Sequence, residues 1–231
     1  MSWPGFEIGD DAEGRGAQTR RAIAAAAWEL LLERGYDGMT MRAVAQRAGV
    51  SVGNAYYYFP SKGHLVQDFY QGLQVEHAAA ATVAMAGRTD LTDRLRTAYL
   101  SWLDVGAPHH ALAARMLGVA LEPGHPSSPF SVESGPARAR SIALFAEVLD
   151  GSSTRVPPAL RAVLPQLLWL GQLGIVLYWL SDDSPDQART RALVEGVVPP
   201  VARLVRLARL PGMSRVVDEL ADLVRRFGPA A

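Results

Sequence analysis

The chain has 231 residues, of which 49% are hydrophobic and 20% charged, an ordinary composition for a soluble protein with a substantial core. It contains no cysteine, which excludes disulfide frameworks, zinc–thiolate sites and thiol nucleophiles. Positive and negative side chains balance at 23 each, so net charge alone does not indicate a nucleic-acid partner.

The N-terminal stretch MSWPGFEIGDDAEGRG is acidic and glycine-rich where a secretion signal would have a basic start and an apolar run. We therefore predict a flexible tail at residues 1–16. The next segment, TRRAIAAAAWELLLERG, has apolar residues at helical spacing. Thr19 is placed to cap this first helix, and Gly35 is placed to end it.

A short second helix, MRAVAQRA, follows, with Thr40 as its N-cap and Gly49 at its end. The next residues, GVSVG, fit G-x-S-x-G, the strand-to-helix turn that exposes the nucleophile of serine hydrolases. Here the entering segment has helical periodicity, and no oxyanion-loop motif accompanies it. We therefore interpret Ser51 as the cap of a third helix at residues 52–58, and we predict no catalytic residue.

Helix, glycine turn and helix form the helix-turn-helix arrangement, whose second helix enters the DNA major groove. Ala55 and Phe59 are four residues apart and can face inward. The three adjacent tyrosines cannot all be core, because successive helical residues point about 100° apart. Lys62, the only lysine in the chain, lies at the next helix N-terminus, where a cation is unfavourable unless a phosphate is nearby. Residues 18–62 carry six positive side chains against three negative ones, a mild asymmetry that does not by itself indicate DNA binding.

The sequence TMRAVAQRAGVSVGNAYYYFPSKGHL, from Thr40 to Leu65, resembles the DNA-binding signature of the TetR/AcrR family of bacterial transcriptional regulators. The resemblance covers about residues 18–70. Three positions depart from the family pattern: Asn54 replaces a Thr or Ser, Ala55 a larger aliphatic residue, and Gly63 a Glu or Asp. The first departure affects the expected base preference, and the other two concern helix packing and capping.

The resemblance implies an all-α fold, with a three-helix DNA-binding head at residues 17–62 and a larger ligand-binding and dimerisation body at 63–231. It implies a cytoplasmic homodimer that represses transcription from a palindromic double-stranded DNA operator. A small apolar or amphipathic effector is expected to release it. The implied DNA contacts are Thr40, Tyr56 and Lys62 to phosphate, Arg42 to a base edge, and Val52, Asn54, Tyr57 and Tyr58 in the groove, with Gly53 permitting close approach.

Helical patterning continues through the body and is interrupted by a loop rich in proline and serine, EPGHPSSPFS. We predict helices at about 61–86, 91–105, 109–121, 135–149, 158–180, 185–210 and 214–227. VLPQLLWLGQLGIVLYWL is long enough to span a membrane, but it contains proline and glutamine and is followed by two aspartates. We interpret it as a buried helix in a dimer interface, which the resemblance places at residues 158–180 and 185–210, with no membrane partner.

The resemblance also implies a ligand pocket in the body. Candidate residues are aromatic or large apolar (Tyr99, Trp102, Met116, Phe145, Trp169, Tyr178) or polar (His77, Arg115, Gln172). For the aromatic and large apolar residues, plain core packing is the alternative and takes precedence. His109 and His110 are adjacent rather than four apart and lack an acidic or sulfur partner, so we predict no metal and no cofactor. Two alternatives stay open: an α-helical enzyme using Ser51 or His109, and a protein-interaction module that docks through its tyrosine-bearing helix.

Overall fold

The computed structural model describes residues 14–122 and 124–227, and every regular element within them is helical. This confirms the predicted all-α fold, with three helices in the N-terminal head, of which the second and third are short, and a larger helical body. The helices are α1 (Arg15–Gly38), α2 (Met41–Arg47), α3 (Val52–Tyr58), α4 (Lys62–Ala84), α5 (Leu91–Gly106), α6 (His110–Leu121), α7 (Gly135–Asp150), α8 (Pro158–Leu180), α9 (Ala188–Leu207) and α10 (Ser214–Phe227).

Helix α1 begins earlier than predicted. Its first residue is Arg15, after an extended Gly14 that provides no side-chain cap. The prediction that Thr19 caps this helix is wrong, because its hydroxyl lies inside the helix and donates to the Arg15 carbonyl at 2.9 Å. The end of the predicted tail is therefore helical, while residues 1–13 lie outside the described residues. Gly35 does interrupt the helical geometry, with φ 71° and ψ −179°.

The turn between α2 and α3 is built as the sequence predicts. The Thr40 hydroxyl caps α2 by accepting from the Ala43 amide at 3.2 Å. The Ser51 hydroxyl caps α3 by accepting from the Asn54 amide at 3.1 Å, which confirms that Ser51 is a cap residue. Between the two helices Gly49 has φ +68°, a conformation that favours glycine. Helix α2 packs against both α1 and α3, so α1, α2 and α3 form one packed group of three helices.

The chain divides into two compact units. The first holds the chain up to Glu76 together with His109–Ala137, and the second holds His77–Pro108 together with the chain from Arg138 onward. These packing units do not follow the predicted functional boundary between residues 62 and 63. Helix α6 and the loop after it pack in the same unit as the helix-turn-helix, because α6 contacts α1.

An aromatic cluster joins the helices of the first unit. The Trp28 ring of α1 stacks on the Phe69 ring of α4 with centroids 4.2 Å apart. The His109 ring meets both edge-on, at 5.3 Å from Trp28 and 5.1 Å from Phe69. Burial lowers the pKa of His109, and the nearby Glu76 carboxylate acts in the opposite direction. His109 is therefore a packed core residue and its ring is not presented to solvent.

In the second unit, the buried Arg94 guanidinium joins the C-terminal ends of two helices. Its nitrogens donate to the carbonyls of Met85 and Arg88 after α4 and of Glu147 and Val148 in α7, at 2.7 to 3.3 Å. Helix C-termini leave carbonyls unsatisfied and carry partial negative charge, so a cation is favourable there. The sequence offered no pattern that singles out this arginine.

The bounds of α8 and α10 agree with the prediction, whereas α9 begins three residues later and ends three residues earlier than predicted. Asp186 and Gln187 have positive φ, so the chain between the predicted and observed starts is not α-helical. The Asp182 carboxylate accepts hydrogen bonds from the backbone and hydroxyls of Ser184 and Thr190. Burial would raise the pKa of Asp182, but these hydrogen bonds outweigh it and lower the pKa below its usual value.

Candidate nucleic-acid interface

Helix α3 presents polar and aromatic residues to solvent on one side and is buried on the other. Ala55 is fully buried and Phe59, directly after the helix, is 2% exposed, which anchors the inner face. Tyr57 is 81% exposed, far more than an aromatic ring used for packing. Of the α3 residues predicted to contact DNA, Val52, Gly53, Tyr56 and Tyr57 are exposed, while Asn54 and Tyr58 are half-buried.

Tyr58 is less exposed than the other two tyrosines of α3. Its ring meets the Tyr57 ring edge-on at 5.1 Å. A Cβ added at Gly16 would lie 3.4 Å from the Tyr58 hydroxyl, so this side chain rests beside the first turn of α1. Gly53 has open space around it, since an added Cβ would meet nothing within 4 Å. The outer face of α3 can therefore approach a surface closely at Gly53.

Thr40 and Arg42 are exposed at the start of α2. The Thr40 hydroxyl accepts from Ala43 and keeps its own proton available to donate. Within the described part of the chain Arg42 has no carboxylate partner. By contrast, Arg47 pairs with Glu29 and Glu33 at 3.0 and 2.9 Å. Arg42 is thus a cation free to bind an external acceptor.

Lys62, the first residue of α4, is held in place although its charge reaches solvent. Its ammonium donates to the Tyr36 carbonyl at 3.2 Å and lies 4.0 Å from the centre of the Tyr36 ring. The exposed Asp37 carboxylate is 4.0 Å away. An aromatic face stabilises a cation by electrostatic attraction, which offsets the unfavourable position at a helix N-terminus.

Sequence reasoning missed Tyr36 and His125 as residues of this region. The Tyr36 hydroxyl lies 2.8 Å from His125 Nε2, and the two rings meet at 5.5 Å. Burial raises the pKa of Tyr36, with the Glu122 and Asp37 carboxylates adding to the effect. A histidine within a loop of prolines and serines was the available clue, but the sequence does not show where that loop folds.

Three of the pocket candidates, His77, Tyr99 and Phe145, are buried in the second unit. His77 Nε2 donates to the Ala98 carbonyl at 2.9 Å, its Nδ1 has no partner, and burial lowers the pKa of His77 to about 4. The Tyr99 hydroxyl donates to the Leu168 carbonyl at 3.0 Å, and its ring is 5.3 Å from that of Phe145. Burial raises the pKa of Tyr99.

The remaining candidates are not all at one place. Trp169 and Gln172 lie on the buried face of α8, and Gln172 Oε1 has no hydrogen-bond partner. Trp102 of α5 is half-buried, and its ring meets the ring of the buried Trp179 of α8 edge-on, with centroids 5.1 Å apart. Tyr178 is 43% exposed on the opposite face of α8, away from these groups. In the first unit, Arg115 is exposed and Met116 buried. Over the described residues, no three histidine or carboxylate side chains form a group that could hold a metal ion.

Two family models match the chain, one over each region discussed above. Residues 23–69 match the model of bacterial regulatory proteins of the tetR family. Residues 94–226 match the model of the tetracyclin repressor-like C-terminal domain. The second match alone covers more than half of the chain.

Shorter segments of the chain also match individual transcriptional repressors. The chain is 40% identical over 85 residues to the transcriptional repressor KstR of Mycolicibacterium smegmatis, covering 36% of this chain and 40% of that protein. It is 46% identical over 61 residues to KstR of Rhodococcus jostii, covering 26% and 29% respectively. The chain thus spans less than half the length of these relatives.

Solved structures of low identity share the fold. A TetR transcriptional regulator from Nitrosomonas europaea superposes with a TM-score of 0.60 at 20% identity, covering 80% of this chain and 99% of that one. The fatty acid degradation regulator FadR of Bacillus halodurans superposes with a TM-score of 0.56 at 19% identity, covering 84% and 96%.

Proposed function

The chain belongs to the TetR family of bacterial regulatory proteins, and from this premise we propose that it is a cytoplasmic, homodimeric transcriptional repressor released by a small apolar or amphipathic molecule. The observation that supports DNA binding best is the exposed face of α3 beside the unpaired Arg42. The two KstR relatives are transcriptional repressors, which supports repression as the mode of regulation.

On DNA, we assign the residues of this face to two roles. Thr40, Tyr56 and Lys62 contact phosphates, which position the protein without reading sequence. Arg42 donates to a base edge, where an arginine–guanine pair is worth roughly 1–3 kcal/mol of discrimination. The groove is filled by Val52, Asn54 and Tyr57 with Tyr58 at the side, and the open space at Gly53 permits close approach.

Dimerisation is assigned to the outer faces of α8 and α9. In α8, Leu170, Gly171, Gly174, Leu177 and Tyr178 are all exposed and recur at helical spacing on one side. Helix α9 has a similar exposed stripe, formed by Leu193, Gly196, Pro200, Leu204 and Leu207. An apolar stripe of this length is costly in water, and a second copy of the same face would cover it. Helix α8 is also long and apolar enough to cross a membrane, but 44% of its most apolar window is buried inside the protein.

The effector is assigned to the core of the second unit around His77, Tyr99 and Gln172. Two buried polar atoms there, His77 Nδ1 and Gln172 Oε1, have no hydrogen-bond partner. Buried polar groups are normally satisfied, so each has capacity to bond a ligand. Because the surrounding side chains are apolar, the proposed effector is largely apolar with a few polar groups.

The two roles at the DNA face are separated by paired substitutions. Arg42→Ala should weaken binding to the operator while leaving binding to a scrambled duplex nearly unchanged, because a base contact carries sequence information. Lys62→Ala should weaken both duplexes equally and lower the salt slope by about one phosphate contact per protomer, which is about two per bound dimer. Fluorescence anisotropy on both duplexes at several salt concentrations measures each effect.

Arg155→Ala serves as the control, because it removes an exposed arginine from the loop between α7 and α8. Equal losses on both duplexes for Arg42→Ala and Lys62→Ala would contradict the division of roles. Losses of the same size for Arg155→Ala would mean that only total charge matters.

A further inference from the structure

The loop between α6 and α7 folds against the N-terminal end of α4. We call its residues 124–134 the serine–proline loop. The Gln67 side-chain amide of α4 donates to the Pro126 carbonyl and to the Ser134 hydroxyl, the latter at 2.7 Å. A Cβ added at Gly63 would lie 3.0 Å from Pro126, so the loop and α4 are in close contact there. The loop is therefore fixed to the helix whose first residue is Lys62.

Within this loop, the hydrogen bonds of His125 define its tautomer. The backbone amide of Ser127 donates to His125 Nδ1 at 3.0 Å, so that nitrogen is an acceptor and carries no proton. The proton of the neutral ring is consequently on Nε2, which lies 2.8 Å from the Tyr36 hydroxyl and donates to it. His125 thus fixes both the position and the orientation of the Tyr36 ring.

The Tyr36 ring in turn supports Lys62. The ammonium lies 4.0 Å from the ring centre and donates to the carbonyl of the same tyrosine at 3.2 Å. The hydrogen bond uses one of the three ammonium N–H groups, and the ring covers one side of the ammonium. The remaining N–H groups can donate to an external anion. A free lysine side chain loses considerable rotamer freedom when it binds phosphate. Because Tyr36 already orders the Lys62 side chain in the unbound protein, less conformational entropy is lost on binding.

We propose that His125 is a positioning residue for DNA binding: through Tyr36 it holds Lys62 in the conformation that contacts phosphate, and it makes the serine–proline loop a determinant of DNA affinity. The proposal rests on the DNA-binding function proposed above. The proposal extends the determinants of DNA binding to a residue outside the helix-turn-helix, since His125 is 63 residues beyond Lys62 and follows α6 in the chain.

The position of Lys62 can be measured without DNA. Because Lys62 is the only lysine, protein labelled with ¹³C,¹⁵N-lysine gives a single lysine side-chain spin system by NMR. Its terminal methylene protons should be shifted upfield by the ring current of Tyr36. His125→Ala should move them towards the value of a free lysine, whereas His125→Gln, which keeps a donor close to Nε2, should retain most of the shift. Val132→Ala, at a position 89% exposed in the same loop, should leave it unchanged.

DNA affinity provides the second readout. His125→Ala and Tyr36→Phe each remove the same hydrogen bond and should weaken operator binding by about fivefold, because Lys62 is then less ordered before binding and loses more rotamer freedom when it contacts phosphate. His125→Gln should restore most of the affinity. In a Lys62→Ala background, His125→Ala should cause no further loss, because both substitutions act through one phosphate contact.

The outcomes separate the inference from the function on which it rests. An unchanged lysine resonance in His125→Ala, or a further fivefold loss in the Lys62→Ala background, would overturn the inference while DNA binding stands. A shifted resonance with unchanged operator affinity would overturn the role in DNA binding. If the wild-type protein bound no DNA but its lysine resonance responded as expected, the proposed function would fail and the positioning of Lys62 would be supported.

Discussion

Leu177→Glu in α8 is expected to convert the protein to a monomer and to reduce its operator affinity by about a hundredfold or more. Leu177 is half exposed in the apolar stripe of α8, so a carboxylate there would be buried without a partner at a two-fold interface. A dimer binds its second half-site at a high effective concentration, and a monomer loses this advantage. Sedimentation velocity gives the oligomeric state, and anisotropy gives the affinity.

The matched control for this prediction is Val83→Glu. Val83 is 77% exposed on α4, so the same charge is introduced at an exposed apolar position that does not belong to the stripe. This variant should stay dimeric and bind DNA as the wild type does. A Leu177→Glu protein that remains dimeric with full operator affinity would contradict the assignment of the interface to α8 and α9.

Arg94→Ala is expected to lower the free energy of unfolding by at least about 3 kcal/mol, since it leaves several buried carbonyls at two helix ends without donors. Arg94→Lys should recover only part of this loss, because one ammonium cannot span acceptors that the planar guanidinium reaches together. Urea unfolding followed by circular dichroism measures the effect.

Gly151→Ala tests the same contact from the other side. An added Cβ would lie 2.3 Å from the Arg94 guanidinium carbon, so the guanidinium would have to leave its acceptors. The two substitutions should therefore be strongly non-additive. Arg161→Ala is the control, because that arginine forms an exposed pair with Asp150 and such pairs contribute little. Equal stability of Arg94→Ala and Arg161→Ala would contradict the role given to Arg94.

Local sequence signals were sufficient for most of the fold. Helix α8 begins at a proline, which fits a first helical turn, and α3 lies between a serine cap and a helix-ending proline, so their bounds follow from the chemistry of their ends. Where a cap was misplaced, as at Thr19, the helix extended further because nothing in the preceding residues stops it. The late start of α9 depends on the buried carboxylate of Asp182, whose partners only the folded chain defines.

The candidate site was predictable where it depends on one continuous segment. The residues from Thr40 to Lys62 follow a pattern of caps, turn and exposed tyrosines that local chemistry explains. The contacts of His125 with Tyr36, and of Arg94 with α4 and α7, join positions that are distant in sequence. Such contacts arise from tertiary packing, and one sequence contains no periodicity that encodes them. Likewise, Tyr178 was a pocket candidate because its side chain is aromatic, whereas the structure places it on the exposed face of α8.

The most direct test of the central claim is fluorescence anisotropy of the purified protein on duplex DNA from its own upstream region. A scrambled duplex is the comparison, at about 50 and 200 mM salt. We expect tight binding of two protomers to the native duplex only. Affinity should fall by at least about tenfold between the two salts, because the two Lys62 ammonium groups of a dimer each neutralise one phosphate. Absence of binding to either duplex at both salts, or an affinity independent of salt, would contradict the proposal that this protein is a DNA-binding repressor.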